Sequence, residues 1–435
     1  MMEYPVWFIP GISKGMIIGV ISVLHVFIAQ FAVGGGIYLA WMEGRAHRLN
    51  SPELLAWLQR HTHFFLLLTM VFGGLSGVAI WFSITVSSPE TTSMLTRNFL
   101  FIWAAEWAFF LIEIASLLVY YYTYPLMRRG VFSPSQHVFI GWIYAIAGYM
   151  SLVLINGIIS FMLTPGDSLE TGELSKAFFN PTFWSSTVYR TALCLMLAGM
   201  FALFTATRIP DITVRRMVTR SAGLWICLPL LALIAASAWY FTDLPPDRQA
   251  SILRRTTDIR PFALAYGWIL PLVFVGGVVA FIFAQRLRKP LVVLILATGL
   301  MLVGSFEWMR ETGRRPWVIP GFMYSNGVTV FEGQQADKSG ISAVSGWSRL
   351  VDSEASGDHS RISRGELIFS QQCSSCHAVG GPRLDIIPIL KRLSPGGINA
   401  QLAGQGSRLT YMPPFFGSKE DRETLAQYLN SIRER

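Results

Sequence analysis

Residues 99–123 read FLFIWAAEWAFFLIEIASLLVYYYT. The only charged residues in this run are Glu106 and Glu113. Crossing the hydrocarbon of a bilayer takes roughly 20 apolar residues of helix, so the run is long enough to span. Seven other stretches meet the same criterion, at about 14–42, 62–86, 137–163, 183–207, 221–242, 262–285 and 290–308. At 435 residues, with 52% hydrophobic and 14% charged, the chain is too apolar for an ordinary soluble enzyme. The expected fold is all-α, a polytopic membrane helix bundle of about eight transmembrane helices followed by a smaller polar region. The first stretch has no small-residue cleavage site and exceeds a signal peptide's length, so it is read as a retained span that doubles as the export signal.

Orientation follows from Lys and Arg in short loops. One side of the bundle carries Arg45, Arg48, Arg60, Arg128, Arg129, Arg208, Arg215, Arg216, Arg220, Arg286, Arg288 and Lys289. The other carries Lys14, Arg97, Lys176, Arg248, Arg254, Arg255 and Arg260, four of them in the loop after the sixth span. The first side is expected to be cytoplasmic, which puts both termini and everything after Trp308 outside the cytoplasm. The net charge of +9 is then mostly a matter of topology and gives no argument for nucleic acid. Cys194 and Cys227 fall inside spans and are expected to be plain buried thiols.

The other two cysteines lie in Arg364-Gly-Glu-Leu-Ile-Phe-Ser-Gln-Gln-Cys373-Ser-Ser-Cys376-His377. This contains the Cys-x-x-Cys-His pattern of covalent haem attachment, in which two thiols add across the haem vinyl groups and the histidine supplies the proximal nitrogen. A zinc knuckle or redox dithiol competes, but zinc needs two further ligands nearby. The expected sixth ligand is Met412, in Tyr411-Met412-Pro413-Pro414-Phe415, a loop stiffened by two prolines; the alternative is a methionine packed on the haem edge. A helix is predicted from Ser418 to Ile432, with Ser418 as N-cap and Glu420 and Asp421 in its first turn. Residues 361–435 as a whole are similar to a small class I cytochrome c, an α-helical electron carrier outside the cytoplasm. Residues 321–360 read as a tether, with Trp347 and Val328–Phe331 packing down and His359 solvated.

Ionisable groups inside a span are costly and ask for a reason. His25 lies midway along the first stretch, before Gly34-Gly35-Gly36; haem ligand and interhelical hydrogen bond are equally open roles for it. Glu106 and Glu113 stand two helical turns apart on one face, suited to a proton path or a haem-facing pair, or else to interhelical hydrogen bonds. The eighth stretch runs into Glu311-x-Gly313-Arg314-x-Pro316-Trp317, which by itself could serve as an interfacial anchor.

That last segment resembles the Glu-x-Gly-Arg-Gln-Pro-Trp signature of the large subunit (subunit I) of cytochrome bd oxidases. His25, Gly73 to Gly77, the Glu106/Glu113 pair and Asn156-Gly157 follow in the order of that family's landmarks, so the resemblance covers about residues 14–320. It implies two non-covalent membrane haems (b and b or d), with His25 and Glu311 as axial ligands. It also implies Glu106 facing the oxygen-reactive haem, Glu113 in the proton route, and Arg314 and Trp317 in the cofactor-binding signature, Arg314 balancing propionates or Glu311. The resemblance further implies a homologous smaller subunit as partner, to which other cytochromes c are expected to be added.

The departures are informative. A third, low-spin haem of the family, which takes electrons from quinol, uses a fifth-helix histidine and a seventh-helix methionine. Here Tyr189-Arg190-Thr191 stands where the histidine is expected, and 262–285 has no methionine. The quinol loop shrinks to about 243–261. The chain is therefore expected to comprise a bd-like haem domain (1–320), a tether (321–360) and a cytochrome c domain (361–435). In this reading electrons from cytochrome c pass through haem c to the membrane haems and reduce O2 to water. The alternative is a membrane electron-transfer subunit, for example from quinol to cytochrome c, without oxygen chemistry, for which the arginines after the sixth span would mark a docking surface. A membrane part that has lost its haems and only anchors the cytochrome is the third reading.

Overall fold

A computed structural model describes residues 9–254, 259–341, 364–408 and 410–434. Eight helices in it are long and apolar enough to cross a membrane: Lys14–Arg48, Pro52–Ser87, Leu100–Arg128, Pro134–Phe161, Phe183–Ala206, Ile212–Asp243, Arg260–Ile282 and Lys289–Gly313. They are called the first to eighth spans below. The chain divides into two compact units, one of Ser22–Val78 and Asn98–Gly313, the other of Met1–Ile21, Ala79–Arg97 and Arg314–Arg435.

In the larger unit the fifth span is the most enclosed, with both its apolar and its polar side chains buried. The first span reaches it through three glycines in a row. A Cβ on Gly34 would run into the Cys194 carbonyl of the fifth span, one on Gly35 into the Phe65 ring of the second, and one on Gly36 into the Tyr144 ring of the fourth. Without side chains at these points the backbones close up, the usual way membrane helices gain van der Waals contact. Phe31, one turn earlier, fills the resulting space against Phe65 and Phe201 at 5.1 and 4.0 Å between ring centroids. The second span is α-helical except over Leu67–Gly73, where it widens into a π-helix, a local irregularity often found at functional sites.

The smaller unit has a core of Ile368, Phe369, Ile386, Leu390, Ile398, Leu402, Phe416, Leu425, Leu429 and Ile432. Its last helix, Lys419–Ile432, starts at Ser418 in a capping box with Asp421. Helix Arg364–Gln372 lies against it, and Gly365 permits this because a Cβ there would meet the Thr424 carbonyl and Tyr428. Residues 321–341 are more than a spacer. Trp317–Ile319 pairs antiparallel with Met323–Tyr324, and Val330–Ser339 is a helix capped by Thr329 and Glu332. Val328, Ala336 and Ile341 join the same core, as expected for Val328, while Phe331 of the same apolar run is 67% exposed. The rest of the expected tether, with Trp347 and His359, lies outside the described residues.

The start of the first span belongs to this unit too. The amides of Lys14 and Gly15 donate to the carbonyls of Ser374 and Ser375 at 2.9 and 3.0 Å, Val379 donates to Pro10 at 2.7 Å, and Lys14 Nζ donates to the Ser370 carbonyl at 2.8 Å. First-turn amides have no partner within their own helix. Here the loop between Cys373 and Cys376 supplies it.

Candidate functional site

Around Cys373-Ser-Ser-Cys376-His377 the backbone presents both thiols and the imidazole from one tight turn, with the Cys376 and His377 amides both donating to the Cys373 carbonyl. Burial pushes the Cys373 thiol up to about 12, with Cys376 adding to it. Among the described residues no group of three or more His, Cys, Asp or Glu side chains is arranged to hold a metal ion. His377 Nδ1 donates to the Leu384 carbonyl at 3.1 Å, fixing the tautomer that leaves Nε2 as a base. Leu384 adopts φ of 47°, a backbone conformation costly for a leucine, and its carbonyl is the one that meets this imidazole. Gln372, just before Cys373, exchanges two hydrogen bonds with the Phe416 backbone at 2.6 and 3.0 Å, which ties the Met412-Pro413-Pro414-Phe415 loop to the attachment turn. A bis-thioether haem with His377 on one side fits this donor set.

In the larger unit His25 Nδ1 lies 3.1 Å from Ser76 Oγ of the second span. Ser76 spends its hydroxyl proton on the Phe72 carbonyl at 2.7 Å, close to the end of the π-helical stretch. It therefore accepts from His25 Nδ1–H, which leaves Nε2 unprotonated, the form an iron ligand needs. Gly77 completes the arrangement, since a Cβ there would lie 3.4 Å from His25 Cε1. Glu311 is 42% exposed and 3.9 Å from the Arg310 guanidinium. Arg314 Nη1 donates to the Val318 carbonyl at 3.3 Å, and Trp317 stacks on Tyr324 at 4.0 Å.

The two acids of the third span each meet the fourth span. Glu106 accepts from Ser151 at 2.8 Å and Glu113 from Tyr144 at 3.0 Å. Gly148 lets Glu113 in, since a Cβ there would be 3.3 Å from its carboxyl.

The structure also shows groups that sequence reasoning missed. Glu43, with its side chain 0% exposed, accepts from Tyr120 at 2.7 Å and contacts His137 Nδ1 at 2.6 Å and His47 Nε2 at 3.3 Å. Glu307, 4% exposed, is held by Arg190 Nη1 and by Arg310 Nε, each at 2.9 Å. Beside it Tyr189 stacks on Phe306 at 4.0 Å and its hydroxyl meets Tyr266 at 3.3 Å. Aromatic rings and an ion pair thus surround Tyr189-Arg190-Thr191, where a fifth-span histidine was expected. Arg248 is also buried and paired with Asp247 at 3.0 Å, so it does not front a docking surface. The side chains of Arg254 and Arg255 lie outside the described residues.

The family described as cytochrome bd terminal oxidase subunit I matches residues 16–244. The family described as cytochrome c oxidase, cbb3-type, subunit III matches residues 360–429. Among solved structures, the chain is similar to the bd oxidase from Geobacillus thermodenitrificans, with a TM-score of 0.61 at 16% identity over 73% of this chain and 90% of that one. At that identity the likeness is one of fold. No curated protein matches the chain.

Proposed function

Since this chain belongs to the cytochrome bd terminal oxidase subunit I family and carries a C-terminal cytochrome c domain, we propose that it takes electrons through a covalent haem c to membrane haems and reduces O2 to water, with cytochrome c as donor. Family and domain together make it a multi-pass membrane haem protein. The finer assignments are ours. Cys373 and Cys376 would hold haem c, with His377 and Met412 ligating its iron. His25 and Glu311 would ligate two non-covalent haems, and Arg314 and Trp317 would serve the cofactor-binding signature. When bound, the haems would supply one-electron chemistry.

The chain's own residues then have defined tasks. Ser76 keeps His25 in the tautomer with a free Nε2. Glu106 and Glu113, each held by one hydroxyl donor, keep a second carboxylate oxygen for accepting and releasing protons consumed at the site. The cytochrome domain lies in the periplasm of a bacterium, in an inner-membrane complex with a smaller homologous subunit.

The observation that carries the reading is the Tyr189–Phe306 stack beside the Arg190–Glu307 pair. Tyr189 and Arg190 stand where the resemblance leads one to expect the quinol-side histidine, while the fused cytochrome c offers another route for electrons. Oxygen uptake by the purified complex tests this. Reduced cytochrome c should drive it and quinol should not. Quinol-driven reduction of cytochrome c, without oxygen uptake, would replace this reading with the electron-transfer alternative.

A further inference from the structure

The third and fourth spans run antiparallel, and three polar contacts join them at a regular interval. On the third span the contacts fall at Glu106, Glu113 and Tyr120, and on the fourth at Ser151, Tyr144 and His137, seven residues apart in both series. Glu106 meets Ser151, Glu113 meets Tyr144, and the Tyr120 carbonyl accepts from His137 Nε2 at 2.9 Å. Seven residues are roughly 10.5 Å of helix, so the rungs climb one face of the pair from the arginine-rich end towards Glu106.

The lowest rung differs from the other two. His137 Nε2 faces a carbonyl, which can only accept, so that nitrogen carries a hydrogen. The contact between His137 Nδ1 and Glu43 Oε1, at 2.6 Å, then holds one proton in either of two ways: imidazolium with carboxylate, or neutral imidazole with carboxylic acid. Both arrangements keep the hydrogen bond. The groups facing Glu43 are His47 on its own span, Tyr120 on the third and His137 on the fourth; Tyr124 donates to Tyr120 at 3.1 Å, and Thr62 of the second span lies 3.5 Å from Tyr124. His47 is 20% exposed while Glu43 and His137 are 0% exposed, so His47 alone of the three reaches solvent.

We propose that the Glu43–His137 pair is the proton-loading group of this chain, filled through His47 from the arginine-rich side and emptied along the third and fourth spans to Glu113 and Glu106. This rests on the reading of those two acids as proton carriers. Each hop breaks one N–H or O–H bond at the donor and forms one at the acceptor, and no electron moves. The rungs stand farther apart than a hydrogen bond, so water bridges them.

The test uses the full complex in proteoliposomes with the arginine-rich side facing a lumen that contains a pH dye. The membrane haems are reduced anaerobically with dithionite, and lumenal proton uptake is followed. Wild-type complex should take up protons from the lumen as the haems reduce. Glu43→Gln should slow this uptake by about a hundredfold, Glu43→Asp should restore most of it, and His137→Phe should resemble Glu43→Gln, all with unchanged haem spectra. Tyr120→Phe, which leaves Glu43 and His137 in place, gives a second reading should either of the first two fail to fold. Unaltered uptake in the variants, or no lumenal uptake in the wild type, overturns the proposal. Oxygen consumption is measured separately, and its failure would remove the oxidase reading while leaving the relay standing on the anaerobic result.

Discussion

Arg190 of the fifth span donates to Glu307 of the eighth at 2.9 Å, and Arg310 holds the second oxygen of the same carboxylate at the same distance. Removing Arg190 would leave this buried carboxylate with Arg310 alone, at a cost below the about 3–5 kcal/mol of a fully stranded buried charge. Arg190→Met should therefore lower the thermal stability of the detergent-purified protein, as read by loss of its monodisperse peak after heating. The number of haems per chain should not change, since on the proposed reading Arg190 pairs with Glu307 and holds no haem. Loss of one haem in this variant would show that assignment to be wrong.

The His25–Ser76 hydrogen bond fixes which imidazole nitrogen is free. A pyridine haemochrome assay should find one haem c and additional non-covalent haem per chain; haem c alone would reject the membrane-haem assignments. His25→Ala and Glu311→Ala should each remove non-covalent absorbance and leave covalent haem intact. Ser76→Ala should keep the haem, with about 10–100-fold weaker retention on dilution into detergent, the usual effect of losing the group that orients a histidine ligand.

Asp421 should set the acid limit of the cytochrome unit. Burial pushes its carboxyl up, but the Ile341 amide, the Arg364 guanidinium and Ser418 outweigh this and hold it below the ordinary 3.8. A carboxyl depressed by folding adds stability that is complete above its unfolded value and is lost as pH falls through the folded one. Asp421→Asn should cost about 1.5–3 kcal/mol at neutral pH and flatten the loss of stability below about pH 4. Acid titration of the Soret band of both proteins measures it, and parallel curves would exclude the role.

What the sequence made legible were features that repeat locally or depend on one element. Eight apolar runs gave eight spans, the Gly34–Gly36 run gave close contact, and the Ser418 cap gave the last helix. The Glu106–Glu113 spacing was visible, and carrying it seven residues further to Tyr120, with the matching series at 137, 144 and 151, would have exposed the seam. Glu43 was hidden because it sits beside Arg45 and Arg48, where charge is expected, and its partner His137 is 94 positions away. Glu307 falls at the end of the eighth apolar stretch, and its partner Arg190 is 117 positions away. The π-helical stretch at Leu67–Gly73 has no periodic signature, and in residues 321–341 the apolar run at 328–331 was visible while the strand pair and helix around it were not, being short and largely polar.

The amides of Lys14 and Gly15 find their acceptors on the loop between the two haem-attaching cysteines. In the order of synthesis, residues 10–15 leave the ribosome long before residue 374 exists. The first helix must therefore wait, its leading turn unsatisfied, until the last domain has been made and brought back to it. Biogenesis of this protein thus closes on itself: a chain halted before its cytochrome would keep a frayed start to the helix that carries His25, and a bulky fusion placed at Pro10 would disturb haem attachment more than three hundred residues away in sequence.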